Sequence, residues 1–310
     1  MSNSMTIPIS ATSDSRENLD RLLGELRPKL HRYCARMTGS VIDGEDVIQE
    51  AMLKALEAFS HAGPIANLEA WVFRIAHNAA LDFLRRRVRR DALHSNEDPE
   101  MILDPVDTAS DRQLAATSLR TFMRVSVPQR SSVILMDVLG YSLDEIATIT
   151  DVSIPAAKSA LHRGRSRLRE FANEPQDFAQ PSLSESEHSM LAAYVDRFNA
   201  RDFDAVRNML AEEVRLELVG RSRLNGRREV SKYFYNYGLL KDWYFVSGSV
   251  EGHAAVIVRD SRDPSGKPIY FVLLEWKDGQ VVKIRDFYHA RYAIEGAEVH
   301  FAGGEGTVVN

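Results

Sequence analysis

The sequence lacks several features that are each typical of one class of protein. Its 310 residues include one cysteine, Cys34, so an intramolecular disulfide and a paired-cysteine zinc site are both excluded. No apolar run reaches the roughly 18–20 residues that a membrane-spanning helix needs, and the first ten residues lack the basic and apolar parts of a secretory signal. We therefore expect a cytoplasmic protein that does not bind a membrane, with Cys34 buried as a small apolar side chain on a helix.

The sequence also lacks an excess of positive charge. The 39 Lys and Arg residues against 44 Asp and Glu residues give a net charge of −5, which argues against a protein that coats nucleic acid through bulk positive charge. Cationic residues are instead concentrated near the ends of two predicted helices, and any nucleic-acid binding would have to use these patches. The first, here named the arginine cluster, is Arg85, Arg86, Arg87, Arg89 and Arg90, and the second is Lys158, Arg163, Arg165, Arg167 and Arg169.

The pattern of apolar residues divides the chain into three folded parts joined by two polar tethers. Apolar residues recur at spacings of three and four in the first two parts, which predicts two all-α modules. The boundaries are 15–90 for the first module, 91–110 for the first tether, 111–171 for the second module, 172–185 for the second tether and 186–310 for the third part. The predicted helices of the two modules lie near 18–38, 44–60, 67–90, 111–124, 128–140, 142–149 and 154–171.

The third part changes from a helical pattern to a strand pattern. Two helical stretches are followed by runs in which apolar and polar residues alternate, such as AAVIVRD, PIYFVLLEW and QVVKIRDFYHA. Alternation with Val, Ile, Tyr and Phe, interrupted by Gly, Asp and Pro, predicts an antiparallel sheet. Residues 186–310 are therefore expected to form an α+β domain.

A helix-turn-helix is predicted over residues 142–168. Ser153 can cap the second helix, and the preceding turn places Asp151 where a left-handed backbone is expected. Exposed residues near the start of such a second helix meet the edges of DNA bases. The alternative is a basic helix that is only a solvated face, but cap, turn and charge run coincide here. The residues expected to contact DNA from this helix are Lys158, Ser159, His162, Arg163 and Arg165.

Two earlier helices carry a second pattern. Residues 43–59 place polar side chains on neighbouring turns with an apolar back, which suggests docking to a protein. We name this surface the acidic face, and it consists of Asp43, Asp46, Gln49 and Glu50. Residues 67–90 combine Trp71 and Phe73 with the arginine cluster, which fits DNA with unstacked bases. The alternative, that Trp71 and Phe73 belong to the core, stays open.

Taken in order, these segments resemble a known family. DGEDVIQEAMLKALEAF, AWVFRIAHNAALDFLRRR and VPQRSSVILMDVLGYSLDEIATITDVSIPAAKSALHRGRSRL look like the extracytoplasmic-function (ECF) branch of bacterial RNA polymerase sigma factors, over residues 18–171. The resemblance implies that the acidic face docks on the β′ clamp of core polymerase. It also implies that Asn78, Asp82 and the arginine cluster meet the minus-10 promoter DNA, and that the 154–169 helix reads the minus-35 element.

Residues 186–310 resemble the SnoaL-like branch of the ketosteroid-isomerase-like, or NTF2-like, fold. The matching pieces are LAAYVDRFNARDFDAVRNMLAEEVRLEL, a helix start at Gly226 and DGQVVKIRDFYHARY. The resemblance implies a cone-shaped sheet wrapped by helices. In a chain fused to such a sigma factor, it further implies a domain that regulates the sigma modules.

Such a cone could enclose an apolar pocket with a polar group inside it. The candidates for its lining are Tyr233, Trp243, His253, Asp286 and His289. Strand alternation allows an inward Asp286, while a neighbour pair of Arg285 and Asp286 on opposite faces of the strand is the alternative. Because nothing pairs these residues convincingly, we expect no catalysis, no cofactor and no metal, although a small apolar ligand could bind.

The sequence as a whole therefore predicts a sigma factor that directs core RNA polymerase to promoter DNA and is modulated by its third domain. The alternative is a ligand-sensing helix-turn-helix regulator that acts without polymerase. Such a regulator would need neither the acidic face nor the arginine cluster.

Overall fold

The computed structural model describes residues 13–92, 118–172, 183–239, 243–263, 265–302 and 307–308. By its internal contacts the chain divides into two compact units, Met1–Pro175 and Gln176–Asn310. Most of both predicted tethers, and residues 111–117 of a predicted helix, lie outside the described residues.

The first module consists of three helices, α1 (Ser13–Thr38), α2 (Val41–Phe59) and α3 (Leu68–Ala92). Gly39, with φ of +80°, reverses the chain after α1, because a left-handed backbone costs glycine little. The Ser40 hydroxyl then accepts a hydrogen bond from the Asp43 N–H at 3.0 Å and caps α2. Cys34 is buried in α1, as predicted.

The second module contains α4 (Leu119–Met123), α5 (Val127–Val133), α6 (Leu143–Thr150) and α7 (Ile154–Ala172). The predicted helix 128–140 is α-helical only as far as α5 and continues as a π-helical turn, Ile134–Val138. The Leu139 N–H donates to the Ile134 carbonyl, five residues back, at 3.1 Å. The turn, ILMDV, adds one residue to a single helical repeat, a change too local for the apolar periodicity of the segment to show.

Both modules share one hydrophobic core. Buried side chains from α1 to α7 form a single cluster that includes Phe73, Phe122 and Ile146. Tyr141, which precedes α6, packs edge-on against Phe73 with ring centroids 5.1 Å apart, and its hydroxyl donates to Glu69 at 2.5 Å. The two helical modules of the first unit therefore pack against each other through this core.

The second unit combines three helices with one sheet. The helices are α8 (Glu185–Asn199), α9 (Phe203–Asn208) and α10 (Arg227–Leu239). The strands are β1 (Leu210–Leu218), β2 (Ser222–Asn225), β3 (Trp243–Val250), β4 (His253–Asp260), β5 (Pro268–Lys277), β6 (Gln280–Asp286), β7 (Glu298–Phe301) and β8 (Thr307–Val308). They form a sheet in the order β2-β1-β6-β5-β4-β3-β7-β8.

The sheet is mixed, so the prediction of an antiparallel sheet was wrong in one place. Strands β1 and β6 pair in parallel, whereas the other pairs are antiparallel. The register of β1 shifts between Leu210 and Arg215, and its burial does not alternate cleanly. Alternation predicts which face a side chain occupies but not the direction of its neighbour, since pairing depends on the chain between two strands.

The fold class predicted from the sequence is confirmed. An all-α part with a helix-turn-helix precedes an α+β domain whose helices cover an apolar face of the sheet. That face carries Val256, Val258, Val272, Leu274 and Ile284 against side chains from α8 and α10. None of the described helices is both long and apolar enough to cross a membrane.

Candidate nucleic-acid interface

The acidic face lies on the side of α2 that faces away from the core. Val47, Ile48 and Ala51 are buried on the opposite side of the helix, which leaves the acidic face on the side away from the core. Asp46 is exposed, whereas Asp43, Gln49 and Glu50 are half-buried.

The arginine cluster lies on the last turns of α3. Arg85, Arg86, Arg89 and Arg90 are exposed, and Arg87 is half-buried and donates to the Thr38 carbonyl at 3.3 Å. On the turns before it, Asn78 is exposed and Asp82 is half-buried. The structure thus places all the residues expected to meet minus-10 DNA along one helix.

Ion pairs join the acidic face to the arginine cluster. The Glu50 carboxylate accepts two hydrogen bonds from Arg86, at 2.6 and 3.4 Å, and also pairs with Lys54 at 2.8 Å. Asp43 pairs with Arg87 at 3.6 Å. The Arg86 guanidinium lowers the pKa of Glu50, and Glu50 in turn raises the pKa of Arg86. Two residues expected to bind polymerase therefore contact two residues expected to bind DNA.

The helix-turn-helix has the local geometry that the sequence predicts. Ser142 and Glu145 form a reciprocal capping box at the start of α6. Asp151 adopts the left-handed conformation, with φ of 57° and ψ of 45°, and its neighbour Val152 donates to the Ala147 carbonyl at 3.1 Å. The Ser153 hydroxyl accepts from the Ala156 N–H at 3.4 Å and caps α7.

The exposed side of α7 carries most of the predicted DNA contacts. Ala157, Leu161 and Leu168 are buried in the core, which leaves Lys158, Ser159 and His162 exposed. Neither Lys158 nor His162 forms an ion pair with any described residue.

The two arginines of this helix that were expected to contact DNA differ in their surroundings. Arg163 is half-buried, and its one hydrogen bond to the described chain is to the Ser159 hydroxyl, at 2.6 Å. Arg165 instead forms a two-point ion pair with Asp137, at 2.5 and 3.0 Å, and the Asp137 side chain is 2% exposed. The structure therefore gives Arg165 a contact within the module, and its DNA contact stays a prediction.

One edge of α7 borders a cleft of about 390 Å³. Its lining includes Ser159 and Arg163 of α7, His77 and Leu81 of α3, and residues of α5. Burial lowers the pKa of His77 to about 4, and the Tyr33 hydroxyl lies 2.6 Å from its Nδ1 atom. Part of the predicted base-reading surface therefore opens into this cleft, while Lys158 and His162 lie outside its lining.

Trp71 and Phe73 of α3 belong to the core rather than to an exposed stacking surface. Phe73 is completely buried. Trp71 is half-buried, packed edge-on against Phe59 with ring centroids 6.3 Å apart. The core alternative left open by the sequence is thus the one that the structure favours.

In the second unit, a buried carboxylate lies at the end of β6. Asp286 is 1% exposed and accepts hydrogen bonds on Oδ2 from the hydroxyls of Tyr233, at 2.6 Å, and Tyr237, at 2.8 Å. Its Oδ1 accepts from the Tyr288 N–H at 2.7 Å, and the Tyr270 hydroxyl lies 3.2 Å from that of Tyr237. Burial raises the pKa of Asp286, although these donors act in the opposite direction.

The other candidates for the lining of a pocket lie in different surroundings. Trp243 packs against Tyr237 with ring centroids 5.6 Å apart, so it borders the carboxylate cluster. His253 is exposed at the start of β4, and His289 is exposed beside Arg221. The structure therefore brings Tyr233, Trp243 and Asp286 together but leaves both histidines at the surface.

Two family models match the first unit in the expected order. Sigma-70 region 2 matches residues 22–90, and Sigma-70, region 4 matches residues 121–168. The ECF RNA polymerase sigma factor SigM of Mycobacterium tuberculosis is 31% identical over 149 residues, which cover 48% of this chain and 74% of SigM.

The chain belongs to the ECF RNA polymerase sigma factors. The ECF RNA polymerase sigma factor SigG of M. tuberculosis is 27% identical over 244 residues, covering 68% of this chain and 66% of SigG, slightly less than two thirds of its length. A crystal structure of the ECF sigma factor SigJ from the same organism covers 86% of this chain and 95% of SigJ, at 19% identity and a TM-score of 0.33.

The predicted interface residues of this sigma factor lie within the two matched ranges, and their roles stay predictions. The acidic face and the arginine cluster lie within the region 2 match, and the helix-turn-helix lies within the region 4 match. The third domain follows both matches in the chain as an α+β unit.

Sequence reasoning missed two members of the carboxylate cluster in the sigma factor's third domain, Tyr237 and Tyr270. Tyr237 could have been found, because it follows Tyr233 by four residues and so occupies the same face of α10. Tyr270 had no such signal, since its neighbourhood depends on how β5 pairs with β4 and β6. The inward orientation of Asp286, which the sequence left open, is the one that the structure has.

We predict that Asp286 makes the stability of the third domain pH-dependent. A carboxyl group whose folded pKa is raised above its ordinary value of 3.8 binds its proton more tightly in the folded domain than in the unfolded chain. This stabilisation is complete below about pH 4 and is lost as the pH rises through the raised pKa. In Asp286→Asn, the stability of the β6 region should lose this component of its pH dependence. Amide hydrogen exchange of β6, measured over a range of pH, monitors that stability.

Glu213→Gln is the matched control, because Glu213 is exposed on β1. It should leave the pH dependence of the wild type in place. An unchanged pH dependence in Asp286→Asn would contradict the prediction.

Proposed function

We propose that the protein directs core RNA polymerase to specific promoters and initiates transcription from them. In this proposal the acidic face docks on the β′ clamp of the polymerase, and the end of α3 contacts the minus-10 DNA. Helix α7 reads the minus-35 element. The observation that carries the proposal is the presence, in one chain and in order, of matches to sigma-70 regions 2 and 4.

The surface of α7 supports the DNA-reading part of this proposal. Lys158, Ser159 and His162 are exposed on the first turns of the second helix of a helix-turn-helix, where recognition helices contact bases. Lys158 has no acidic partner among the described residues, so its charge is available to a phosphate or a guanine.

We assign the third domain a regulatory role without catalysis. Three of the four groups around Asp286 are tyrosine hydroxyls, and these act as hydrogen-bond donors to the carboxylate or to each other. His253 and His289 are exposed, and neither forms a hydrogen bond with this carboxylate among the described residues. A small apolar ligand that binds beside Trp243 would alter the activity of the sigma modules from this domain.

The test of the main proposal is run-off transcription with purified core polymerase and the full-length chain. The wild type should support transcription from a promoter that core polymerase alone does not use. We predict that Arg163→Ala lowers this transcription at least about fivefold when the promoter is limiting, since a lost specific contact costs about 1 kcal/mol or more.

Arg228→Ala is the matched control, because Arg228 is exposed on α10 in the second unit. Its transcription should equal that of the wild type. If the wild type leaves core polymerase inactive at this promoter but still binds DNA through α7, the alternative of a regulator that acts without polymerase is favoured instead.

A further inference from the structure

The ion pairs between α2 and α3 divide the arginine cluster into two groups. Arg85, Arg86 and Arg87 each pair with an acidic side chain of α2 or α3. Arg89 and Arg90 have no carboxylate partner among the described side chains. Before any DNA binds, the charges of the first group are therefore partly compensated from within the protein.

The carboxylates that compensate Arg86 and Arg87 belong to the acidic face. Glu50 accepts hydrogen bonds from both terminal nitrogens of the Arg86 guanidinium, Nη1 and Nη2. This geometry fixes the orientation of the planar group as well as its position. Asp43 holds Arg87 from the first turn of α2. A cation of another molecule that binds either carboxylate would compete with the arginine for its oxygen atoms, which on Glu50 are already shared between Arg86 and Lys54.

From this geometry, and resting on the proposed function, we propose that Glu50 and Asp43 restrain Arg86 and Arg87 in the free protein. Cationic groups of the polymerase that take these two carboxylates then release Arg86 to DNA phosphates and remove the carboxylate beside Arg87, which keeps its hydrogen bond to the Thr38 carbonyl. Docking to the polymerase would thereby strengthen DNA binding, because it removes the carboxylate that competes with DNA for the arginine. DNA binding would strengthen docking in turn, because it removes the arginine that competes with the polymerase for the carboxylate. Such coupling between two binding sites is reciprocal.

Exposure keeps the restraint weak enough to be exchanged. The Glu50 and Arg86 side chains are 30% and 50% exposed, and those of Asp43 and Arg87 are 34% and 43% exposed. Exposed pairs of this kind contribute about 0.2–1 kcal/mol. The same exposure makes their substitution harmless to the fold, so a change in binding can be attributed to the released charge.

The test is binding of the full-length free protein to a mixed-sequence single-stranded oligonucleotide, titrated at several salt concentrations. Glu50→Gln should bind the oligonucleotide roughly two- to fivefold more tightly than the wild type at low salt, corresponding to the strength of the broken pair. Its affinity should also fall more steeply with salt, by about 0.7 in the logarithmic slope for one released guanidinium. Adding Arg86→Gln to Glu50→Gln should remove the share of both gains that comes from Arg86, and the remainder measures Lys54, the other cation that pairs with Glu50.

Glu57→Gln is the matched control, because Glu57 is exposed on the same helix and forms no ion pair with a described residue. It removes the same charge from α2 and should change the affinity much less than Glu50→Gln does. Equal gains in both variants would show a general charge effect and overturn the restraint.

A second measurement repeats the titration with saturating core polymerase. The ratio of the oligonucleotide affinity of Glu50→Gln to that of the wild type should then fall towards one, because the polymerase already holds the carboxylate in the wild type. A gain that persists unchanged on the polymerase would overturn the exchange, and a Glu50→Gln variant that binds no better when free would overturn the restraint itself. Failure of the wild type to bind core polymerase, measured separately, would instead contradict the proposed function.

Discussion

Gly44→Ala should destabilise the first unit by about 1–3 kcal/mol or more, one of the two largest losses that we expect from a single substitution. At Gly44 helices α1 and α2 are in direct backbone contact. A Cβ atom added there would lie 2.6 Å from the backbone nitrogen of Ala35 and 2.7 Å from its Cα atom. Backbone atoms of a packed helix cannot move aside as a flexible side chain can, so the two helices would have to separate.

Gly24→Ala provides the control, with an effect of opposite sign. Gly24 is exposed in α1, and an added Cβ would have no atom within 4 Å. Alanine there should stabilise the helix by roughly 0.5–1 kcal/mol, because glycine loses more backbone freedom on folding. Urea unfolding of both variants measures the two effects, and similar midpoints for them would contradict the close helix contact.

Arg130→Met should lower the stability of the first unit by about 2–5 kcal/mol. Arg130 is 4% exposed on α5, and it donates to the Met37 carbonyl of α1 at 2.5 Å and to the Val125 carbonyl at 2.9 Å. Each buried carbonyl that loses its donor costs about 1–3 kcal/mol. Burial lowers the pKa of Arg130 to about 10, so the group remains charged at neutral pH.

The control for Arg130→Met is Arg74→Met, because Arg74 is exposed on α3 and has no hydrogen bond to a described residue. It should change the urea midpoint by less than about 0.5 kcal/mol. Arg130→Lys keeps the charge but lacks the planar fork, and we expect an intermediate loss. A stability of Arg130→Met equal to the wild type would show that the two helical modules do not depend on this link.

For the acidic face and the arginine cluster, sequence alone could predict the positions of the residues but not how they pair. Their positions on α2 and α3 follow from the apolar periodicity, since the buried stripe of a helix defines its exposed side. The pairing of Glu50 with Arg86, 36 residues apart, requires the packing of one helix on the other. A charge pattern shows that a helix side is polar but does not show which other residue neutralises it.

The helix-turn-helix was determined by the sequence itself, whereas the cluster around Asp286 was decided by the tertiary structure. The capping residues, the left-handed Asp151 and the buried stripe of α7 act within a few turns of chain, so local chemistry was sufficient to predict the motif. The parallel pairing of β1 with β6, the core shared by two helical modules and the convergence of Tyr233 and Tyr237 on Asp286 were decided by the tertiary structure. These contacts join residues far apart in the chain, and their partners are selected by the packing of whole elements, which local propensity and periodicity do not encode.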